Sequence, residues 1–172
     1  DFDPQGNASS GVGVAAQEGK SVYDCIVAGV PASTCLVKTK YCTVLPADIR
    51  LAAAEVELAD LPHRERRLKE ALDSVKEQFD YVFIDCPPSL GQLTVNALTA
   101  CDTVLVPMQC EYYALEGLSQ LVSSIRMVKR SSNPKIDIEG IVLTMYDSRT
   151  NLTIQVAEEV KKYFGSKVFK TV

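Results

Sequence analysis

Histidine is almost missing from this sequence: His63 is the single one among 172 residues. None of the six cysteines (Cys25, Cys35, Cys42, Cys86, Cys101 and Cys110) forms a Cys-x-x-Cys pair. A zinc centre therefore lacks its usual ligand set. Cysteine catalysis lacks a histidine nearby in sequence, although a spatial partner is left open. No apolar run approaches the ~20 residues of a membrane-crossing helix, and no signal sequence is visible. Positive charge is not in excess either. The net charge of −4 argues against the whole chain acting as an electrostatic nucleic-acid binder, so such a role needs a local patch. No repeat, low-complexity stretch or linker interrupts the chain.

What is present suits a folded core. An apolar fraction of 47% and a length of 172 residues favour one domain. Cys86, Cys101 and Cys110 adjoin apolar strand ends and read as small packing residues. The cysteines fit a reducing, intracellular compartment. Residues 9–20 read as a loop, 21–27 as a short helix and 43–46 as a short strand. Asp48 is placed to cap a helix over 49–59. Pro62 is placed to start a helix to about residue 78, with Leu68, Leu72, Val75 and Phe79 on its apolar face. The run His63 to Arg67 would lie on that helix as a solvated face. Strand 81–85, helix 91–100, strand 103–107, helix 115–130, strand 138–145, helix 151–164 and strand 167–172 then alternate. That rhythm predicts an α/β fold, a mostly parallel sheet with helices on both faces.

Two segments carry candidate chemistry. Tyr81-Val82-Phe83-Ile84-Asp85-Cys86-Pro87-Pro88 is an apolar strand that ends on an acid and is stopped by prolines. Ligands of such sheets bind at the carboxyl edge. Asp85 there either holds Mg²⁺ for a nucleotide phosphate or caps the next turn. Asp1-Phe2-Asp3-Pro4-Gln5-Gly6-Asn7 places two acids on one face of a strand before a loop. That pairing is costly without a cation or a polarised water nearby. A solvated tail is the alternative.

DFDPQGN followed by Ala8-Ser9-Ser10-Gly11-Val12-Gly13 resembles a block of the ParA/Soj chromosome-partitioning ATPases, which are deviant-Walker P-loop proteins. YVFIDCPPSLGQLTVNAL resembles their Walker B strand and following helix. Thr103 to Pro107, Glu111 to Leu118 and Gly140 to Asn151 resemble the blocks after it. The resemblance spans the chain and is weakest between about residues 15 and 45. It implies a P-loop NTPase-like fold of the SIMIBI class. The family opens with a first strand and a KGGVGKT-type phosphate loop, and no such loop occurs here. The chain therefore reads as an internal stretch, a single incomplete ATPase domain over 1–172, without first strand, P-loop or C-terminal helix.

The resemblance implies ATP and Mg²⁺ as cofactors. Asp1 and Asp85 would sit near the metal, through bound waters, and Asp3 would orient the attacking water. Pro107 and the Met145-Tyr146-Asp147 segment fall at strand ends where an adenine would rest. Asp147 either contacts the base or serves as a turn residue. Arg149 would contribute to sequence-independent DNA binding, since an arginine before a helix can fork onto a phosphate. Lys161, Lys162, Arg126, Lys129 and Arg130 are further basic candidates. Glu111 to Gly117 and Gly91 to Asn96 would border a dimer interface or a nucleotide-sensitive surface, and Tyr112 and Tyr113 suit either core or interface.

The implied activity is ATP-dependent chromosome or plasmid partitioning. It would run through an ATP-bound homodimer, non-specific DNA and a ParB-type centromere-binding partner, in the cytoplasm on the nucleoid, with no membrane evident. The 172 residues alone are expected to be inactive. A MinD-like division-site ATPase, a non-catalytic DNA- or partner-binding module and a metabolic enzyme of the same fold are the other readings.

Overall fold

The computed structural model describes residues 1–171, which fall into two compact units that divide between residues 101 and 102. The last position of the strand expected over 167–172 lies outside the described residues.

The first unit is built on short helices. These are α1 (Asn7–Gly11), α2 (Val22–Ile26), α3 (Ala32–Cys35), α4 (Leu51–Glu57), α5 (Arg67–Asp73) and α6 (Gln92–Ala100). An antiparallel pair, β1 (Val37–Lys38) with β2 (Thr43–Val44), lies between α3 and α4. Phe2, Val22, Ile26, Leu51, Leu58, Leu68 and Leu93 form its main core. A second cluster joins Cys25, Ala32, Cys35 and Val75.

Three expectations shift here. The helix expected from Pro62 begins only at Arg67. His63 takes a left-handed φ of 54° and the chain turns through it, so of the run 63–67 only Arg67 lies on the helix. His63 itself is exposed, as expected. The helix also ends early, at Asp73, and a 3₁₀ turn over Lys76–Gln78 replaces its last part. Residues 9–11 of the expected loop belong to α1 instead.

Residues 81–85 run without a strand ladder, with Tyr81 and Phe83 exposed at 82% and 84%. A strand is defined by its partner's hydrogen bonds. Here the Phe2 N–H donates to the Asp85 carbonyl at 2.8 Å, and no ladder of regular bonds extends it among the described residues.

The second unit follows its sequence rhythm closely. Strand β3 (Thr103–Gln109), helix α7 (Ala114–Ser131), strand β4 (Asp137–Thr144) and helix α8 (Asn151–Phe164) form a parallel β-α-β crossover and a further helix. Val106, Met108 and Cys110 of the β3 segment alternate inward, with Ile141 and Leu143 of β4 beside them. Leu118 of α7 and Val156, Ala157 and Val160 of α8 close that core at helical spacing. The segment after α8 is a 3₁₀ turn, Gly165–Lys167, with one bridge from Val168 to Ile141 in place of the full strand expected. Gly140 lets that segment pack closely. A Cβ there would stand 2.6 Å from the Phe169 ring and 2.9 Å from the Lys167 carbonyl.

Candidate functional site

Residues 1–3 are held from two sides in the first unit. The Asp1 backbone nitrogen donates to the Leu45 carbonyl at 3.1 Å, and Phe2 N–H to Asp85 at 2.8 Å. Phe2 is 1% exposed and points into the core. Residues 1–3 do not form the strand expected, and Asp1 and Asp3 on either side of Phe2 are each half-buried. The Phe2–Asp85 bond ties Asp85, which is exposed, to the residue between the two acids.

The Asp1 carboxylate is engaged on both oxygens. Oδ2 accepts the Ser9 N–H and the Ser9 hydroxyl, both at 2.8 Å, and Oδ1 accepts the Asp3 N–H at 3.2 Å. Asp3 starts a tight turn: its Oδ1 accepts the Gln5 N–H at 2.9 Å and its carbonyl the Gly6 N–H at 2.9 Å. Gly6 has a φ of 64°, and a Cβ there would meet the Ala47 carbonyl at 3.2 Å. A glycine therefore suits both the turn and the close approach. Among the described residues no three His, Cys, Asp or Glu side chains converge as a ready-made metal cage. The Cys86 thiol behind Asp85 is pushed up to about 12, chiefly by burial and then by Cys101 and Asp85.

Behind the acids, the 45–50 loop is pinned by a cluster that sequence reasoning missed. Arg50 forks onto Asp24 at 3.0 and 3.1 Å and onto Asp48 at 2.7 and 3.0 Å. It also stacks 5.0 Å from the Tyr23 ring centre. Ser21 and Asp24 form a capping box on α2, with the Ser21 hydroxyl 2.7 Å from Asp24. Burial opposes the charge on Asp24 and Asp48. The bonds from Arg50, and from Ser21, outweigh it and hold both carboxyls below the ordinary range. The clue in the sequence was Ser21-x-x-Asp24, a capping-box spacing, together with Asp48-x-Arg50. Helix α4 starts at Leu51 with Arg50 at its N-cap, so Asp48 is Arg50's partner and not the helix cap expected.

In the second unit, Pro107 lies inside β3, which runs on to Gln109, so it is not at the strand's end as expected. It faces away from the buried side, opposite Val142 in register. Proline is tolerated there because β3 has no second strand neighbour among the described residues. Met145, just after β4, has a left-handed φ of 51°, and the Gln109 amide contacts its sulfur at 3.0 Å. The Asp147 carboxylate receives the Arg149 N–H at 2.9 Å and its guanidinium at 2.7 and 2.9 Å. That fork holds the Asp147 carboxyl below its ordinary range. The structure thus pairs these two residues with each other.

Tyr112 and Tyr113 form an edge-to-face pair with centres 5.0 Å apart, and each is 74% exposed, so neither is a core residue. Arg126, Lys129 and Arg130 lie exposed on α7, whose Ile125 and Val128 face inward. Cys110 is buried as expected, whereas Cys86 and Cys101 are only partly so.

The family model described as an AAA domain matches residues 1–138. The chain is 55% identical to the sporulation initiation inhibitor protein Soj of Bacillus subtilis, over all of this chain and 69% of that protein. It is 50% identical to the chromosome partitioning protein ParA of Myxococcus xanthus, over all of this chain and 62% of that one. The solved structure of cobyrinic acid a,c-diamide synthase from Mycobacterium smegmatis, with bound ATP analog and magnesium, superposes with a TM-score of 0.87 at 40% identity. That match covers 96% of this chain and 68% of the other. The fold is the α/β fold of P-loop ATPases. The chain belongs to the ParA/Soj family of chromosome-partitioning ATPases.

Proposed function

We propose that these residues supply the magnesium-binding and water-orienting part of an ATP-driven chromosome- or plasmid-partitioning protein. The observation that carries this reading is the Phe2–Asp85 backbone bond, which holds Asp85 against the segment that carries Asp1 and Asp3. Hard carboxylate oxygens suit Mg²⁺, which commonly takes one or two carboxylates along with waters and phosphate oxygens. The residues present fit that demand. Asp85 is exposed, and Oδ1 of Asp1 carries a single long bond at 3.2 Å. When bound, Mg²⁺ would neutralise charge on the nucleotide phosphates.

In this reading Asp1 and Asp85 would hold the ion. Asp3 accepts a hydrogen bond from the attacking water and aims it at the terminal phosphate. The Gln5 N–H bond fixes the Asp3 carboxylate for that task. Phosphoryl transfer depends mostly on positioning and charge, so a rigid carboxylate suffices. In the second unit, Arg149 contacts DNA phosphate without sequence preference. The whole protein dimerises on ATP, binds DNA on the nucleoid in the cytoplasm, and releases it when a ParB-type partner stimulates hydrolysis. The likeness to Soj and ParA over the full chain supports partitioning over a division-site role.

Asp3→Ala in the whole protein tests the assignment. ATP affinity by calorimetry should stay within a few-fold of the parent, while turnover falls at least a hundredfold, the lower range for a general base or water-positioning group. Turnover at parental rate would remove Asp3 from the reaction.

A further inference from the structure

Ser9 has no role in the reading above, yet both of its donors converge on one atom. Its N–H and its hydroxyl each reach Oδ2 of Asp1 at 2.8 Å. Its hydroxyl oxygen also accepts the Ala47 N–H at 3.3 Å. A serine hydroxyl has one proton to give and two lone pairs. Here the proton is committed to Asp1 and a lone pair to Ala47, so the side chain has one orientation. Ser9 is 2% exposed, and buried hydroxyls are retained only where their bonds are made.

The placement is itself built. Gly6 turns the chain at a φ of 64° and passes close to the Ala47 carbonyl, which brings Ser9 between Asp1 and the 45–50 loop. The Arg50 fork onto Asp24 and Asp48 holds the far side of that loop. The result is a chain of bonds from Ala47 through Ser9 to Asp1. Such a chain polarises its members in one direction. It also leaves the two oxygens of Asp1 unequal. Oδ2 is saturated by Ser9, and Oδ1 carries only the 3.2 Å bond from Asp3.

We infer that Ser9 is a positioning residue for the metal side of the site: it fixes the Asp1 rotamer and presents Oδ1 to the ion's water shell. This rests on the reading of Asp1 as a magnesium-side carboxylate. Partners that orient a metal-facing carboxylate typically matter about 10- to 100-fold in metal affinity or activity.

The test uses the whole protein with ATP, with Mn²⁺ in place of Mg²⁺, and follows bound Mn²⁺ by electron paramagnetic resonance. Ser9→Ala should raise the Mn²⁺ half-saturation at least tenfold, leave metal-free ATP binding unchanged, and be rescued by Ser9→Thr, which keeps the hydroxyl. Ser9→Cys keeps the volume with a weak donor and should behave as Ser9→Ala, which guards against a packing defect. An unchanged half-saturation in Ser9→Ala, with a weakened one in Asp1→Asn, overturns the role of Ser9 and leaves that of Asp1. No change in either variant overturns both. Equal loss of metal-free ATP binding and of melting temperature in both Ser9→Ala and Ser9→Cys overturns positioning in favour of plain packing.

Discussion

The guanidinium of Arg149 closes on the carboxylate of Asp147, two residues away, with contacts of 2.7 and 2.9 Å. The sequence suggested separate ligands for them, a base for one and a DNA phosphate for the other. In the structure each is the other's partner, and Arg149 remains 87% exposed. An exposed pair of this kind is weak and exchanges readily for a phosphate.

Binding to non-specific DNA should therefore respond to both residues in opposite directions. Arg149→Ala should lower affinity and reduce the slope of log affinity against log salt by about one, the value of one phosphate contact. Asp147→Ala should strengthen binding by freeing the guanidinium. Fluorescence anisotropy across a salt series reads both, and an unchanged slope in Arg149→Ala contradicts the contact.

Arg50 should matter for stability more than its position on a loop suggests. Its removal leaves Asp24, at 6% exposure, without its cation. Arg50→Ala should cost about 2 kcal/mol at pH 7, a figure kept modest because the arginine side chain is itself partly in water. The sign with pH follows from the depressed carboxyls of Asp24 and Asp48. Their contribution is complete above the ordinary aspartate value of 3.8 and is lost as pH falls through the lower folded values. The gap between parent and variant in urea midpoint should be full at pH 7 and shrink below about pH 4. A gap constant with pH would contradict the charge argument.

Gly140→Ala should destabilise the second unit by about 1–3 kcal/mol, because the added methyl overlaps the Phe169 ring and the Lys167 carbonyl, and only the ring can swing away. Thermal melting checks this. An Ala variant as stable as the parent would mean that the segment after α8 packs elsewhere.

The second unit was largely legible in the sequence, and the first was not. Helix α8 was expected over 151–164 and spans Asn151–Phe164. Strands β3 and β4 differ from expectation by two residues or fewer at each end. Those elements carry long apolar periodicities, and the β3–β4 ladder reinforces them. The first unit is made of short helices whose ends are set by tertiary bonds. Arg67 reaches the Ile26 carbonyl at 2.8 Å, and the buried Asn96 binds the Leu68 N–H and the Arg64 carbonyl. No local pattern announces such bonds, which is why Pro62 misled as a helix start. At the site, two acids flanking an apolar residue are visible in the sequence, and Phe2 between them is buried. The roles of Ser9 and Arg50 depend on residues 38 and 26 positions away. Single-sequence spacing does not reach that far.

The most direct test of the account is calorimetry of ATP with Mg²⁺ on two proteins: these 172 residues alone, and the same residues joined to the parts of the Bacillus subtilis relative outside the matched 69% of its length. The account predicts binding by the joined protein only, and loss of its magnesium dependence in Asp1→Asn. Binding by neither protein, or magnesium dependence that survives Asp1→Asn, would contradict the claim that Asp1, Asp3 and Asp85 form the acidic part of a nucleotide site.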